Sequence, residues 1–270
     1  MTQTAELEHA TLVRDGFSLH YVAQGDPRND LIVFLHPAFG DHRCFERQLD
    51  DFAQDYRVVA VDMPGHGRSQ LGQARASIAD TSQFVAEIIA REGHAAAHIV
   101  GVSLGSLIAQ DVAARFPDAV KSLTVVGGYP ISGPNKAVQR AQSREMLKWL
   151  ALIMVSMPRF RRYLARTSTV NPQARAVFER SAQLFTRRSF RAMAGLNAIM
   201  RPEYQPQRHP LLILVGEHDL PLVRAIAEPW HRREAGSAYH VIGGAGHCAN
   251  MDNPSEFNAR LRAFIERPAL

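Results

Sequence analysis

Cysteine is scarce: Cys44 and Cys248 are the only two in 270 residues, too few for a disulfide framework and without metal-ligand pairing. They read as reduced thiols that pack as small hydrophobes. Long apolar runs are lacking too. No stretch reaches the ~18 uninterrupted apolar residues that a bilayer-crossing helix needs, and the start, "MTQTAELEHATLVRDG", has no apolar h-region. Together these absences predict a soluble, cytoplasmic protein with no integral membrane segment. The twelve histidines show no His-x-His zinc spacing, and their one His-x3-His pair, His94 and His98, has no third ligand beside it in sequence, so no metal is expected. Internal repeats and low-complexity tracts are also missing, and the length suits one α/β body with an insertion.

Acidic residues are nearly absent from one part of the chain. Between Pro130 and His209 stand thirteen Arg and two Lys against Glu145, Glu179 and Glu203, a formal +12, while the rest holds sixteen basic and twenty-three acidic residues, a formal −7. The two parts are electrically distinct, although the whole chain carries only +5.

Strand and helix patterns alternate along the more acidic part. Alternation in "FSLHYVAQG" after Asp15-Gly16 predicts an early hairpin, and "LIVFLH", "YRVVAVDMPG", "AAHIVGV", "VKSLTVVGG", "LLILVG" and "AYHVIGG" read as strands. Helical patterns lie between them: about Cys44 to Ala53, "SIADTSQFVAEIIAREG", "LGSLIAQDVAARFP", "PLVRAIAEPWHRREAG" and "PSEFNARLRAFIE". Apolar strands alternating with helices imply an α/β fold with a mainly parallel central sheet covered on both faces. Residues 130–208 show no convincing strand and read as a helical insertion, a cap or lid, in a core formed by 1–129 and 209–270.

Ser103 stands where "AAHIVG" meets a helix, flanked by Gly101 and Gly105. Gly-x-Ser-x-Gly in that context fits a nucleophile elbow, a sharp strand-to-helix turn that exposes the hydroxyl above the sheet. A serine hydroxyl is a weak nucleophile and needs a base with a group to orient it. "LLILVGEHD" ends a strand with Asp219, and "VIGGAGHCANMDNPSEF" puts His247 in a glycine-rich loop after the last strand, so all three fall at carboxyl ends of strands. Glu217 competes with Asp219 as the orienting acid, and the motif position favours Asp219.

Through "VFLHPAFGDHRCFERQL", "YRVVAVDMPGHGRS", "GVSLGS", "VGEHD" and "GAGHCANMDNPSEF" the chain resembles the α/β-hydrolases of the small, cap-bearing kind, which include esterases, lactonases and carbon-carbon bond hydrolases. The chain order Ser, Asp, His is theirs. The resemblance implies Ser103 as nucleophile, His247 as general base and acid, and Asp219 as its orienting carboxylate. It also implies an oxyanion hole from the amides of Leu104 and Ala38. Pro37 and Phe39 depart from the usual pattern in that loop, so Phe39 is a second candidate amide and a pocket-lining side chain. No cofactor is called for, and a serine at the elbow argues against epoxide hydrolase and haloalkane dehalogenase chemistry, which uses a carboxylate.

His36, His66, Asp62 and Arg68 read as loop-shaping residues. In the insertion, "EMLKWLALIMVSMP" is apolar on more than one face, and Trp149, Met154 and Met157 are the side chains expected nearest substrate. The arginines around it form a solvated face or draw in an anion. The partner expected is then a small molecule; no nucleic acid is expected, because the basic residues sit in the segment over the expected site, and homo-oligomerisation stays open. Three functions compete. The first is hydrolysis of a carboxylic ester or lactone, the second a carbon-carbon hydrolase or lyase on a carboxylate-bearing substrate, the third a hydrolase-like small-molecule receptor.

Overall fold

The computed structural model describes residues 6–133, 145 and 148–266. Its strands are β1 (Glu8–Arg14), β2 (Phe17–Gln24), β3 (Leu31–Leu35), β4 (Arg57–Val61), β5 (Ala97–Val102), β6 (Val120–Val126), β7 (Leu211–Gly216) and β8 (Ala238–Ile242). They form one eight-stranded sheet in the order β1-β2-β4-β3-β5-β6-β7-β8. β1 and β2 are antiparallel to their neighbours; from β4 onward every pairing is parallel. The hairpin joining β1 to β2 turns on Asp15 and Gly16 at φ 50° and 76°, the left-handed pair of a two-residue type I′ loop.

The strand sequences are continuously apolar because both sheet faces are covered. Along β3, Leu31, Val33 and Leu35 enter one core, while Ile32 and Phe34 enter the other. The first core lies beneath α2 (Thr81–Arg91) and α3 (Leu104–Arg115), which supply Phe84, Ile88, Ile108 and Val112. The second lies beneath α1 (Glu46–Phe52) and the last helix, Pro254–Ile265, through Phe52, Phe257 and Leu261. Helix α1 starts later than the predicted Cys44, because Asp41 accepts the Arg43 N–H at 3.0 Å and caps a 3-10 turn, His42–Phe45, ahead of it.

Between β6 and β7 the regular elements among the described residues are helices and 3-10 turns joined by loops, apart from one isolated bridge, Ser132 to Arg201. This segment includes helix 148–155, α4 (Met157–Ser168) and α5 (Pro172–Ser181). Phe160, Leu164, Phe178 and Phe185 share the second core with Phe34 and Leu212, so the segment packs as part of the body. Met146 of the apolar run lies outside the described residues. Among the described residues no helix is long and apolar enough to cross a membrane.

Candidate active site

One residue separates β5 from α3, and it is Ser103, at φ 52° and ψ −113°. A non-glycine residue there costs on the order of 1–3 kcal/mol and persists only when its surroundings over-determine it. They do so: the Ser103 N–H donates to Val126 O at 2.8 Å, and the Ser103 carbonyl accepts from the Ser106 N–H at 3.0 Å and from Ser106 Oγ at 2.6 Å. The flanking glycines answer to close approach. A Cβ on Gly101 would lie 2.1 Å from Gly105 O, and one on Gly105 would lie 2.0 Å from Leu35 O.

His247, in the loop after β8, brings Nε2 to 2.8 Å from Ser103 Oγ and Nδ1 to 2.7 Å from Asp219 Oδ1. The carboxylate can only accept, so Nδ1 carries the hydrogen and Nε2 offers its lone pair to the serine hydroxyl. Burial alone would lower the His247 pKa; the charge of Asp219 and its hydrogen bond override that and raise it above the ordinary 6.5. Asp219 is buried and fixed by the Leu220 N–H, 2.6 Å from Oδ1. Glu217 is exposed and accepts the Gly244 N–H at 2.8 Å, so the geometry selects Asp219 as the partner of His247.

The Pro37–Gly40 segment after β3 is a turn closed by Gly40 N–H to Pro37 O at 3.1 Å, with Phe39 at φ 72° in the position a type II turn reserves for the left-handed region. That bond uses neither the Ala38 nor the Phe39 amide. Leu104 opens α3, so its amide has no partner within the helix. His36 supports the turn: Nδ1 donates to Pro37 O at 2.8 Å and Nε2 accepts the Met63 N–H at 3.0 Å. Burial lowers its pKa and takes that of His66 to about 3, so both rings stay neutral, as structural residues should.

The Phe39 side chain is 3% exposed and sits among rings from the helical segment: Phe185 at 4.9 Å, Trp149 at 5.1 Å, Phe160 at 5.3 Å and Phe190 at 6.0 Å between centroids. Three of these contacts are edge-to-face, the geometry aromatic quadrupoles prefer. Met157 packs, half-buried, against the same core. Met154 does not. It is 79% exposed, with Leu150 and Val155 also turned outward, because Trp149, Ile153 and Met157 repeat at four-residue spacing on the inner face. The expectation that Met154 stands near substrate is corrected accordingly.

Several insertion arginines are spent on the protein's own carbonyls. Arg161 donates to Phe185 O at 2.7 Å, Arg187 to Ile153 O at 2.8 Å, and Arg191 to Gly72 O at 3.0 Å. Arg162 and Arg188 are exposed.

Asp252 escaped the sequence reading. Buried after the His247 loop, it accepts the N–H groups of Gly246 (2.8 Å), Val170 (3.0 Å) and Asn171 (2.8 Å), tying that loop to the α4–α5 junction. No local spacing announces it, since two of its partners lie 81 and 82 residues away. Asp252→Ala would orphan the buried Gly246 donor at about 1–3 kcal/mol and leave the part-buried Val170 and Asn171 amides to water. The expected result is a melting temperature lowered by several degrees and a reduced kcat on any substrate the wild type turns over, checked by calorimetry and kinetics. An unchanged melting temperature would show that the three amides find other acceptors.

The fold agrees with comparison to known proteins. The chain belongs to the alpha/beta hydrolase family, whose family model matches residues 32–260. It is 27% identical over 292 residues to a 2-hydroxy-6-oxononadienedioate/2-hydroxy-6-oxononatrienedioate hydrolase of Burkholderia vietnamiensis, covering 98% of each chain. It is 25% identical over 260 residues to an (E)-2-((N-methylformamido)methylene)succinate hydrolase of Acinetobacter baylyi, covering 92% of this chain and 94% of the other. An enol-lactonase structure from Burkholderia xenovorans superposes with a TM-score of 0.72 at 21% identity over 96% of this chain and all of the other, a likeness of fold.

Proposed function

We propose that the protein is a serine hydrolase that cleaves a carboxylic ester, a lactone or a related acyl bond of a small, partly apolar substrate. The carrying observation is the unbroken chain from Ser103 Oγ to His247 to Asp219, at 2.8 and 2.7 Å, with the serine held in a strained conformation. Ser103 attacks the acyl carbonyl as His247 Nε2 takes the hydroxyl proton. The amides of Leu104 and Ala38 hold the tetrahedral oxyanion; the first also lies at the positive end of the α3 dipole. His247 then protonates the leaving group, the acyl-enzyme forms, and water activated by His247 releases the acid. Residues 130–208 act as the cap: Trp149 and Phe39 line the apolar side of the site. Turnover of short-chain p-nitrophenyl esters and of a simple lactone tests this reading. An inactive wild-type protein across that panel would instead favour a receptor role.

The named substrates of the two curated relatives, a dienedioate or trienedioate and a substituted succinate, are carboxylates and support a second reading, hydrolysis of a carbon-carbon bond in an anionic substrate. Product analysis with a vinylogous 1,5-diketo acid separates the two readings. The arginines weigh against strong anion capture, because Arg161 and Arg187 are engaged with backbone carbonyls. For matched neutral and carboxylate-bearing esters, the expected low-salt advantage of the anion in kcat/KM is small, about threefold or less, and fades as salt shortens the Debye length to about 8 Å. An advantage above tenfold that Arg162→Glu and Arg188→Glu abolish would restore steering by the cap.

A further inference from the structure

A second polar cluster lies away from Ser103, where β1, β2 and the loops after β3 and β4 meet. At its base Asp62, fully buried, accepts four N–H groups. Oδ1 takes the backbone N–H and ring Nδ1–H of His42, both at 2.8 Å. Oδ2 takes the Arg68 N–H at 2.8 Å and the His20 Nδ1–H at 3.1 Å. The carboxylate therefore fixes one tautomer on both rings, and in the neutral ring each Nε2 is left as a lone pair.

His20 Nε2 faces His9 Nδ1 at 3.1 Å. The Arg68 guanidinium, which can only donate, lies 3.2 Å from that same His9 nitrogen, so His9 Nδ1 is also a lone pair. Two lone pairs thus meet with no hydrogen between them, an arrangement that calls for a cation in the gap. Two ring pairs already have nearly the spacing of imidazoles around one ion, with centroids 5.3 Å apart for His9 and His20 and 5.5 Å for His20 and His42, while His9 and His42 stand wider at 6.3 Å and must close slightly on it. Imidazole nitrogens bound at about 2.0–2.1 Å in a tetrahedron lie roughly 3.4 Å apart, with ring centroids roughly 5 Å apart. Donor atoms of His20, His42 and Asp62 fall within 4.8 Å of one another.

We propose that His9, His20 and His42 form a binding site for a first-row divalent cation of the zinc type, with Asp62 behind them as the carboxylate that orients two of the rings. His9 and Arg68 are exposed, which opens the site to solvent. Arg68 occupies the mouth as a built-in competitor and swings out when the ion enters. The ion would clamp edge strand β1 to the 41–45 segment that directly follows the Pro37–Gly40 turn. This departs from the expectation of no metal, and it stands independently of the chemistry at Ser103.

The test uses the untagged, metal-free full chain titrated with Zn2+ by calorimetry at pH 7.5 in a non-coordinating buffer. One equivalent is expected to bind, with a rise in melting temperature and, for Co2+, visible absorption bands of a low-coordinate site. His9→Ala, at an exposed position where folding is not at stake, should weaken binding at least tenfold. Arg68→Ala should tighten it. Failure of both wild type and Arg68→Ala to bind Zn2+ stoichiometrically would mean that a shared proton, not a metal, fills the gap; retained binding in His9→Ala would place the ion elsewhere. Either result overturns the proposal.

Discussion

Ser103→Ala is expected to lower kcat by about 10⁴- to 10⁶-fold, the loss typical when a triad nucleophile is removed while oxyanion donors and binding remain. A fluorophosphonate should label the wild type once per chain and the variant not at all. Folding should survive, because the bonds that hold the elbow run through the Ser103 backbone and the Ser106 hydroxyl rather than through Ser103 Oγ. Ser106 is the natural control. Its hydroxyl is buried and donates to the Ser103 carbonyl at 2.6 Å, so it is not free to react, and Ser106→Ala should retain labelling. Intact-mass spectrometry reads the stoichiometry directly. Labelling that persists in Ser103→Ala would remove the serine from its proposed role and leave the proposed mechanism without a nucleophile.

The parts of the molecule that could be read from sequence are those in which a short stretch has only one physical solution. Leu31 to Leu35 is apolar without a break because β3 is buried on both faces, and Asp15-Gly16 can turn a hairpin because both residues reach positive φ. Gly101 and Gly105 were legible for a similar reason: backbone from α3 and β3 fills the space where their Cβ atoms would stand. What stayed hidden depends on residues far apart in the chain. Asp252 acquires its role only when the His247 loop meets the α4–α5 junction. The His9, His20, His42 and Asp62 cluster draws one residue from each of four different segments, so no spacing rule could register it. In the insertion, "EMLKWLALIMVSMP" is apolar on more than one face, and periodicity alone could not say that Trp149 faces Phe39 while Met154 faces solvent. The arginines stayed open between a solvated face and an anion site for a related reason: formal charge does not reveal which guanidinium groups close on neighbouring carbonyls.

Asp219→Asn is expected to reduce kcat by about 10²- to 10⁴-fold with little loss of fold, and to move the acid limb of the pH profile. The magnitude follows from what the amide can and cannot do. If its oxygen keeps the Oδ1 position, it still accepts from the Leu220 N–H and His247 Nδ1–H, but the negative charge that stabilises the imidazolium in the transition state is gone. If the amide turns over, its NH2 meets those two donors and drives His247 to the tautomer that cannot accept from Ser103 Oγ. Both orientations lose rate. The pH effect has a definite sign: the base must be neutral, so wild-type kcat/KM falls as pH drops through a His247 pKa that Asp219 holds above 6.5. Without that carboxylate, burial is left to act alone and lowers the pKa, so the acid limb should shift to lower pH in the variant. Glu217→Gln keeps a carbonyl acceptor for the Gly244 N–H at an exposed position, and should change kcat less than about twofold with no shift of the limb. Parallel pH profiles of the two variants decide the matter. A large loss in Glu217→Gln beside a mild one in Asp219→Asn would mean that the acid supporting His247 during turnover is the other carboxylate.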